Sequence, residues 1–229
     1  MKLSANTVSI LKNLASINSN IVLDVGSVIR TISEGKNILA KATIQEEFDT
    51  SFGIYDLNEF LGVHGMFEEP EIALSSDAMF ARISSGRQSV KYFFSDASFL
   101  TKPEKDVNMP KIDLKFTMSD SDINALRKAA ATLGSTDMTI SGDGDKNSPI
   151  TAVIGEVKNN TANSYSIDIT ADTSTRPDVP FSFVFNIGNY KFMSGNYEVS
   201  ISSKLISHFV NDSGAIEYWV ALEKSSSFG

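Results

Sequence analysis

Apolar residues recur at helical spacing in residues 119–134, and this segment guides the interpretation of the whole chain. Ser119 can cap the first turn with its side-chain oxygen, and Gly134 can end the helix in a left-handed conformation. Lys128 lies roughly opposite the apolar stripe and Arg127 flanks it. Taken alone, such a face is typical of a solvated surface helix. The apolar positions are Ile123, Leu126, Ala130 and Leu133.

A second segment of the same character, residues 4–14, predicts a helix at the start of the chain. Its apolar positions are Val8 and Leu11, continued by Ala15, and Lys12 flanks them. Because the pattern occurs once in each half, we predict a duplicated domain. The corresponding pairs are Val8 with Ile123, Leu11 with Leu126, and Lys12 with Arg127.

Short runs that alternate between polar and apolar residues predict antiparallel strands joined by tight turns. A short helix is predicted at residues 57–66, and a helical turn at residues 188–193 occupies the corresponding place in the second half. The predicted strands are residues 21–25, 28–33, 38–44, 52–56, 71–74, 79–84 and 88–95, then 111–118, 138–141, 149–157, 164–170, 181–187, 197–202, 205–211 and 216–222.

Residues 96–110 show no hydrophobic period and contain two prolines, which predicts a linker between the halves. We therefore expect an N-terminal domain of residues 1–109, including the linker at 96–109, and a C-terminal domain of residues 110–229. Each half predicts an α+β fold in which a mainly antiparallel sheet carries two helices on one face.

The composition favours a soluble intracellular protein with a real core. The chain has a net charge of −8, a hydrophobic content of 41% and no cysteine. The acidic average argues against a nucleic-acid-binding protein of the usual basic kind, although a locally basic face can overturn that inference. The absence of cysteine excludes disulfides and thiolate metal sites. No secretory leader is recognisable, and no apolar run approaches the roughly twenty residues of a membrane span.

Catalytic and metal-binding motifs are not evident in the sequence. His64 and His208 lie in different halves without the carboxylate spacing of a metal site, so we interpret both as structural histidines. Asp143, Asp145 and Asn147 imitate the start of a calcium loop. The glycine and the glutamate expected later in such a loop are missing, which favours a plain hairpin loop. We expect no enzyme activity, no metal and no cofactor.

Several short motifs follow one another over essentially the whole length of the chain. They are MKLS at residues 1–4, ILKN at 10–13 with Ile17 and Asn18, IYDLN at 54–58 with FLG at 60–62, SGNY at 194–197 and VALE at 220–223. In order and spacing they resemble the motifs of the sliding clamps of T4-like bacteriophages. Position 64 departs from the family pattern, because a more apolar helix end is expected where His64 and Gly65 lie.

The resemblance implies a DNA polymerase processivity factor with the DNA clamp fold. Such a clamp is a homotrimeric ring that encircles double-stranded DNA without sequence preference, with its helices lining the hole. An ATP-dependent clamp loader places it, the replicative DNA polymerase attaches by a terminal peptide, and a sigma-like protein uses it in late transcription. The expected location is the cytoplasm of the infected bacterial host, with no membrane attachment and no catalysis.

The expected functional residues form three sets. Those expected to face the DNA lie on or beside the predicted helices and are Lys12, Arg127, Lys128 and Lys191. The subunit interface is expected to join Val90, Tyr92 and Phe94 of one copy to Tyr165, Ile167 and Ile169 of the next. Partner peptides are expected at Leu100, Val107, Met109, Tyr218 and Val220, for which ordinary core packing is the alternative.

Two other classes of protein fit parts of the same pattern. A phage tail or capsid component built from duplicated β domains shares the polar, β-rich composition and the lack of catalytic residues. A calcium-dependent enzyme using Asp143 and Asp145 fits only the incomplete calcium loop. Because basic residues are concentrated on the predicted helices and not on loops, the clamp is favoured over both.

Overall fold

The fold is that of a computed structural model, which describes residues 1–156, 161–171 and 176–229. The chain divides into two compact units, Met1–Asp106 and Val107–Gly229. The division lies shortly before the predicted boundary between residues 109 and 110.

The N-terminal unit contains two α-helices and seven strands. β1 pairs with β4, β2 pairs with β3, and β5, β6 and β7 form a three-stranded sheet, all antiparallel, with β7 at a sheet edge. A 3-10 turn at Ala97–Phe99 follows, within the predicted linker. The elements are α1 Ala5–Ile17, β1 Ile21–Leu23, β2 Gly26–Ile32, β3 Ile38–Phe48, β4 Phe52–Ile54, α2 Leu57–Gly65, β5 Glu71–Leu74, β6 Phe80–Ser85 and β7 Gln88–Phe93.

Helix α1 starts where predicted and runs one turn further than predicted. Ser4 caps it by accepting from the backbone N–H of Thr7. Leu14 and Ile17 are both buried, so the apolar face continues beyond residue 14 and packs into the unit. Asn18 ends the helix, and its side chain donates to the carbonyl of Ile32 at 2.8 Å.

Helix α2 packs beside α1 in the same unit. The side chain of Asp56 accepts from the backbone N–H groups of Asn58 and Glu59, which satisfies donors that the first turn leaves unpaired. Leu57 and Phe60 are buried beneath it. The predicted short helix at residues 57–66 is therefore confirmed.

The C-terminal unit contains one α-helix and nine strands among the residues that are described. One sheet has the order β11-β10-β9-β12-β16, and a second set of strands has the order β15-β14-β13-β8. The elements are β8 Leu114–Met118, α3 Asp120–Leu133, β9 Asp137–Gly142, β10 Ile150–Ile154, β11 Tyr165–Ile169, β12 Phe181–Asn186, β13 Tyr197–Ser202, β14 Ile206–Asn211, β15 Ile216–Ala221 and β16 Ser227–Phe228.

Helix α3 confirms the segment that guided the sequence interpretation. Ser119 and Asp122 form a reciprocal capping box at its start. Gly134 adopts φ 66° at its end, a left-handed conformation that glycine reaches without the clash of a Cβ atom. Ile123 and Leu126 are buried and Leu133 is 37% exposed at the last turn.

The second short helix predicted at residues 188–193 is not formed. Only a 3-10 turn occurs there, at Ile187–Asn189. Tyr190 and Phe192 are both buried, at 3% and 4% exposure. Residues two apart point to different sides of an α-helix, whereas an extended chain places both on one side. Burying this aromatic pair therefore favours a chain that leaves the helical conformation after the turn.

Most predicted strands differ from the structure at their ends, usually by one or two residues. β3 continues beyond residue 44 to Phe48, and β8 begins at Leu114 and not at residue 111. The C-terminal residues 225–229, for which no strand is predicted, include β16, in which Phe228 pairs with Phe181. The predicted strand 149–157 corresponds to β10, and its last residue, Val157, lies outside the described residues.

Candidate nucleic-acid interface

Two of the expected DNA-facing lysines lie exposed on helices. Lys12 follows the buried Leu11 on α1, and Lys128 lies on α3 on the side away from the buried Leu126. Neither lysine takes part in an ion pair within the described parts of the chain. Each helix therefore presents a flexible positive charge to solvent.

Arg127, adjacent to Lys128, has a different environment. Its side chain is half-buried, and Nη2 donates to the backbone carbonyls of Tyr190 and Phe192, the latter at 3.1 Å. The guanidinium carbon also lies 6.0 Å from the centre of the Phe192 ring. Burial lowers the pKa of Arg127, although an arginine stays charged at any physiological pH. Arg127 therefore fastens α3 to the segment after β12.

An aromatic cluster under that segment completes the attachment. The hydroxyl of Tyr197 donates to the carbonyl of Met193 at 2.8 Å, and the hydroxyl of Tyr218 accepts from the Met193 N–H at 3.1 Å. The ring of Phe192 lies 4.8 Å from that of Tyr218. Burial raises the pKa of Tyr197 to about 12, so its hydroxyl remains a donor across the physiological range. Lys191 is exposed between two buried aromatic neighbours, which directs it outward.

A groove of about 580 Å³ lies beside Lys12 in the N-terminal unit. His64 is half-buried in its wall, and its Nε2 atom is buried without a hydrogen-bond partner among the described residues. Burial lowers the pKa of His64, and the positive charge of Lys12 lowers it further. The lining residues are Lys2, Leu3, Ser4, Ala5, Val8, Ser9, Lys12, His64, Phe67, Glu69 and Pro70.

The expected interface residues on β7 divide between the two faces of the strand. Tyr92 is 9% exposed and its hydroxyl donates to the carbonyl of Asp56 at 3.2 Å. Phe94, just beyond the strand, stacks on Phe52 at 4.3 Å between ring centres. Tyr92 therefore packs mainly into the core of the N-terminal unit, and Phe94 lies half-buried against it. Their place in a subunit interface stays a prediction. Val90 is only partly exposed.

The exposed face of β7 carries different residues from those expected. Phe93 is 63% exposed, and Lys91 lies 3.8 Å from the centre of the Phe80 ring and 4.6 Å from that of Phe93. The cation and the two rings form a surface that combines charge with apolar area. This surface lies on a strand whose outer edge is unpaired within its sheet.

On β11, the expected interface residues also differ in exposure. Tyr165 is 36% exposed, Ile167 is partly exposed and Ile169 is only 9% exposed. Asp168 is exposed beside them. β11 is the edge strand of its five-stranded sheet. Ile169 therefore contributes mainly to the core of the C-terminal unit, whereas Tyr165 and Asp168 remain available on the surface.

The residues expected to bind partner peptides differ in exposure. Leu100 is 8% exposed and packs so closely on Gly53 that a Cβ there would lie 2.6 Å from its Cδ1 atom. Tyr218 and Val220 are both fully buried, at 0% exposure. These three residues are core residues, as the alternative interpretation required. Val107 and Met109, in the segment before β8, are partly exposed.

The remaining candidate residues, at His208 and in the loop of Asp143 and Asp145, make contacts within the fold. Nε2 of His208 lies 2.8 Å from Glu217 and its ring stacks on Trp219. The side chain of Asp143 accepts from the N–H of Asp145 at 2.9 Å in the hairpin between β9 and β10. Within the described residues, no cluster of three or more potential metal ligands is found, and none of the helices is long and apolar enough to cross a membrane.

Comparisons with known proteins agree with this architecture. Residues 4–99 match a family model described as DNA polymerase processivity factor. The sliding clamp of Vibrio phage KVP40 is 29% identical to the chain, over 97% of this chain and 99% of the relative. The sliding clamp of Escherichia phage RB69 is also 29% identical, over 99% of both chains. The sliding clamp of Enterobacteria phage T4 is 28% identical over 99% of both chains.

The chain is therefore similar to the sliding clamps of these three phages over nearly its whole length. Its fold is the DNA clamp fold. Proliferating cell nuclear antigen from Entamoeba histolytica superposes with a TM-score of 0.69 at 12% identity, covering 97% of both chains. A. fulgidus PCNA, solved with the C-terminal region of FEN-1 bound, superposes with a TM-score of 0.67 at 14% identity over 96% of both chains.

Sequence reasoning missed the residues around His64 and the exposed face of β7. The sequence presents His64 as an isolated structural histidine, because Lys2 and Lys12 approach it only after the chain has folded. On β7 it favours the apolar set on the other face of the strand over Lys91 and Phe93. The alternation of polar and apolar residues along β7 could have indicated Lys91 and Phe93. The more apolar face of a half-exposed strand normally faces the core, which leaves the other face for the surface.

Proposed function

We propose that the chain is a sliding clamp that acts in DNA replication as a polymerase processivity factor. Three copies form a ring around duplex DNA in the cytoplasm of the infected bacterial host. The observation that carries the proposal is similarity to phage sliding clamps over 97–99% of the chain, together with the clamp fold of the structure. If the chain were a duplicated β protein of a phage tail or capsid, neither the similarity to sliding clamps nor the clamp fold would be expected.

The proposed DNA-facing surface consists of α1, α2 and α3. Lys12 and Lys128 supply exposed positive charge on two of these helices, and Lys191 supplies it on the segment to which α3 is attached. Contacts from lysine to phosphate carry no information about base sequence, which a sliding protein requires. Because a closed ring is retained by its topology, a few weak contacts suffice even in a chain of net charge −8.

Ring closure is proposed to join the edge of β7 in one copy to the edge of β11 in the next. Both strands have an unpaired edge within their own sheets, so pairing between copies satisfies open backbone groups. Lys91 on the exposed face of β7 and Asp168 on the exposed face of β11 are opposite in charge, whereas Tyr165 lies on the other face of β11. Lys91, Phe93 and Asp168 are therefore proposed to join the residues expected in the interface.

The replicative polymerase is proposed to attach by a terminal peptide, as the C-terminal region of FEN-1 binds A. fulgidus PCNA. The segment from Val107 to Met109 offers partly exposed apolar side chains for such a peptide. An ATP-dependent clamp loader and a sigma-like late-transcription factor complete the proposed set of partners. The clamp itself catalyses no reaction.

The oligomeric state tests the proposal. Sedimentation equilibrium at micromolar concentration should give a trimer for the parent chain, and Phe93→Asp should shift it towards monomer by placing a charge in the interface. Tyr55→Asp is the matched control, because Tyr55 is an exposed aromatic residue of the same unit that lies outside β7. A monomeric parent chain, or equal effects of the two substitutions, would contradict the proposal.

A further inference from the structure

The groove between the start of α1 and the end of α2 combines an apolar floor with positive charge at its rim. Leu3, Val8 and Phe67 contribute apolar surface, and Lys2 and Lys12 contribute two ammonium groups. The groove has room for a charged group and several water molecules.

His64 differs from the other histidine in having no acidic partner among the described residues. The groups that line the groove with it and can carry charge are Lys2, Lys12 and Glu69, and Glu69 already pairs with Lys2 at 3.3 Å. Lys12 thus remains uncompensated beside the imidazole in the described part of the chain. His208, by contrast, has Glu217 at 2.8 Å. The space beside His64 and Lys12 is therefore one that an anion can fill.

The N-terminus of α1 does not supply this site. The carboxylate of Glu46 already accepts from the backbone N–H of Ser4 and, through its other oxygen, from the hydroxyl of Thr7. The positive potential available to a ligand therefore comes from side chains and not from the first turn of the helix. Lys12 is the principal source, since Lys2 is neutralised by Glu69.

We propose that the groove is a proton-linked phosphate site, in which a phosphate of the DNA backbone lies between Lys12 and His64 and His64 gains a proton when the phosphate binds. The inference rests on the proposed clamp function. A phosphodiester is a permanent anion that offsets the charge of Lys12 and, through its negative charge, favours the protonated form of the neighbouring imidazole. The partly buried surroundings strengthen these interactions compared with open water.

The direction of the pH effect follows from this geometry. Without DNA, burial and Lys12 keep the pKa of His64 below its ordinary value, so the ring is neutral at pH 7. The negative charge of a bound phosphate offsets part of the effect of burial and part of the effect of Lys12, and it therefore raises the pKa of His64. By linkage, the clamp binds duplex more tightly as the pH falls through the pKa of His64 in the complex.

The test uses the two histidines of the assembled clamp as probe and internal control. The imidazole Cε1–H signals of His64 and His208 are followed by NMR from about pH 5 to pH 8, with and without a short duplex DNA. A rise of about 0.5 in the apparent pKa of His64 corresponds to roughly threefold tighter duplex binding at low pH than at high pH. The signal of His208 should stay unchanged.

Variants separate the proton linkage from simple charge. His64→Gln should abolish the pH dependence of duplex affinity, and the trimer should remain intact. Lys12→Met should weaken binding at every pH and reduce the displacement of the His64 signal.

Duplex binding without any displacement of the His64 signal overturns the phosphate site and leaves the clamp function standing. A His64 signal that moves with a polymerase terminal peptide but not with duplex also overturns it, because the groove then binds protein. If the chain is monomeric and binds no duplex at any pH, the proposed clamp function itself is contradicted.

Discussion

The two halves of the molecule place a basic residue at the same point of the duplicated pattern and use it differently. Lys12 on α1 is exposed and unpaired with acid among the described residues, whereas Arg127 on α3 is half-buried against the carbonyls of Tyr190 and Phe192. Equivalent position and equal charge therefore do not imply equal function. One residue offers its charge to solvent, and the other uses it to hold the fold.

The difference is explained by what lies beneath each helix. In the N-terminal unit, α2 packs beside α1, has a capped first turn and buries Phe60. In the C-terminal unit the corresponding segment is a 3-10 turn that leaves two backbone carbonyls facing Arg127. A guanidinium, with five donors, can satisfy both carbonyls at once, and an ammonium on a flexible stem is less suited to do so.

Removing the Arg127 head group should give the largest effect in this comparison. Arg127→Met leaves two carbonyls without their donor, and we expect a loss of about 2–3 kcal/mol in the free energy of unfolding. Lys12→Met, the matched change on α1, should alter it by less than about 0.5 kcal/mol. Urea denaturation of both variants measures the difference. Equal losses would show that the two positions have the same role.

Both helices have a local serine cap, but the first turn of α1 also depends on a distant residue, because the N–H of Ser4 and the hydroxyl of Thr7 donate to Glu46 of β3. Burial alone would raise the pKa of Glu46, but hydrogen bonds from Thr7 and Ser4 together lower it below 4.5. A lowered folded-state pKa stabilises the fold above the unfolded pKa, and that contribution disappears as the pH falls through the folded pKa.

Glu46→Gln should therefore destabilise the protein by about 1–2 kcal/mol at neutral pH. The difference from the parent should shrink as the pH falls below 4.5, the ordinary value for this carboxyl. Thermal unfolding between neutral pH and about pH 3 measures it. A difference that is independent of pH would mean that the ionised carboxylate is not what caps the helix.

The exposed lysines should affect DNA binding and leave stability unchanged. Lys128→Met should lower the slope of log affinity against log salt by about one, the value expected when a single lysine–phosphate interaction is removed. Arg127→Lys keeps the charge on the same helix and should leave that slope nearly unchanged. Duplex affinity measured at several salt concentrations distinguishes the two. A larger change of slope for Arg127→Lys would place the phosphate interaction at Arg127.

The smallest effects concern two glycines with different backbone requirements. Gly134→Ala forces a Cβ into the left-handed conformation that ends α3 and should cost about 1 kcal/mol. Gly62→Ala in α2 meets no atom within 4 Å and should stabilise the protein by about 0.5–1 kcal/mol. Opposite signs in thermal unfolding are expected, and the same sign for both would contradict the helix geometry of one of them.

The sequence predicted best what neighbouring residues decide. Both ends of α3 could be predicted, because Ser119 and Gly134 determine them locally. The missing helix after β12 could not, because it depends on burying Tyr190 and Phe192 under strands distant in the chain. The same limit applies to Glu46, which reaches the start of α1 from β3, far along the sequence.

For the candidate site, the sequence indicated which residues carry positive charge better than it indicated what each of them contacts. The positive charge of Lys12 and Lys128 follows from the helical pattern, and both are exposed as expected. The sequence could not distinguish Arg127 from them, since its carbonyl partners lie in another element. It also favoured Tyr92 and Phe94 for the interface, because large apolar residues on a strand serve a core and an interface equally well.

Retention on circular DNA tests the central claim most directly. The chain is placed on a closed circular plasmid with an ATP-dependent clamp loader, freed of unbound protein by gel filtration, and the plasmid is then linearised. A ring held by topology should stay with the circle and leave the linear DNA rapidly, with little dependence on the lysine side chains. Equal retention on circular and linear DNA, or loss from both, would contradict the proposal that the chain encircles DNA.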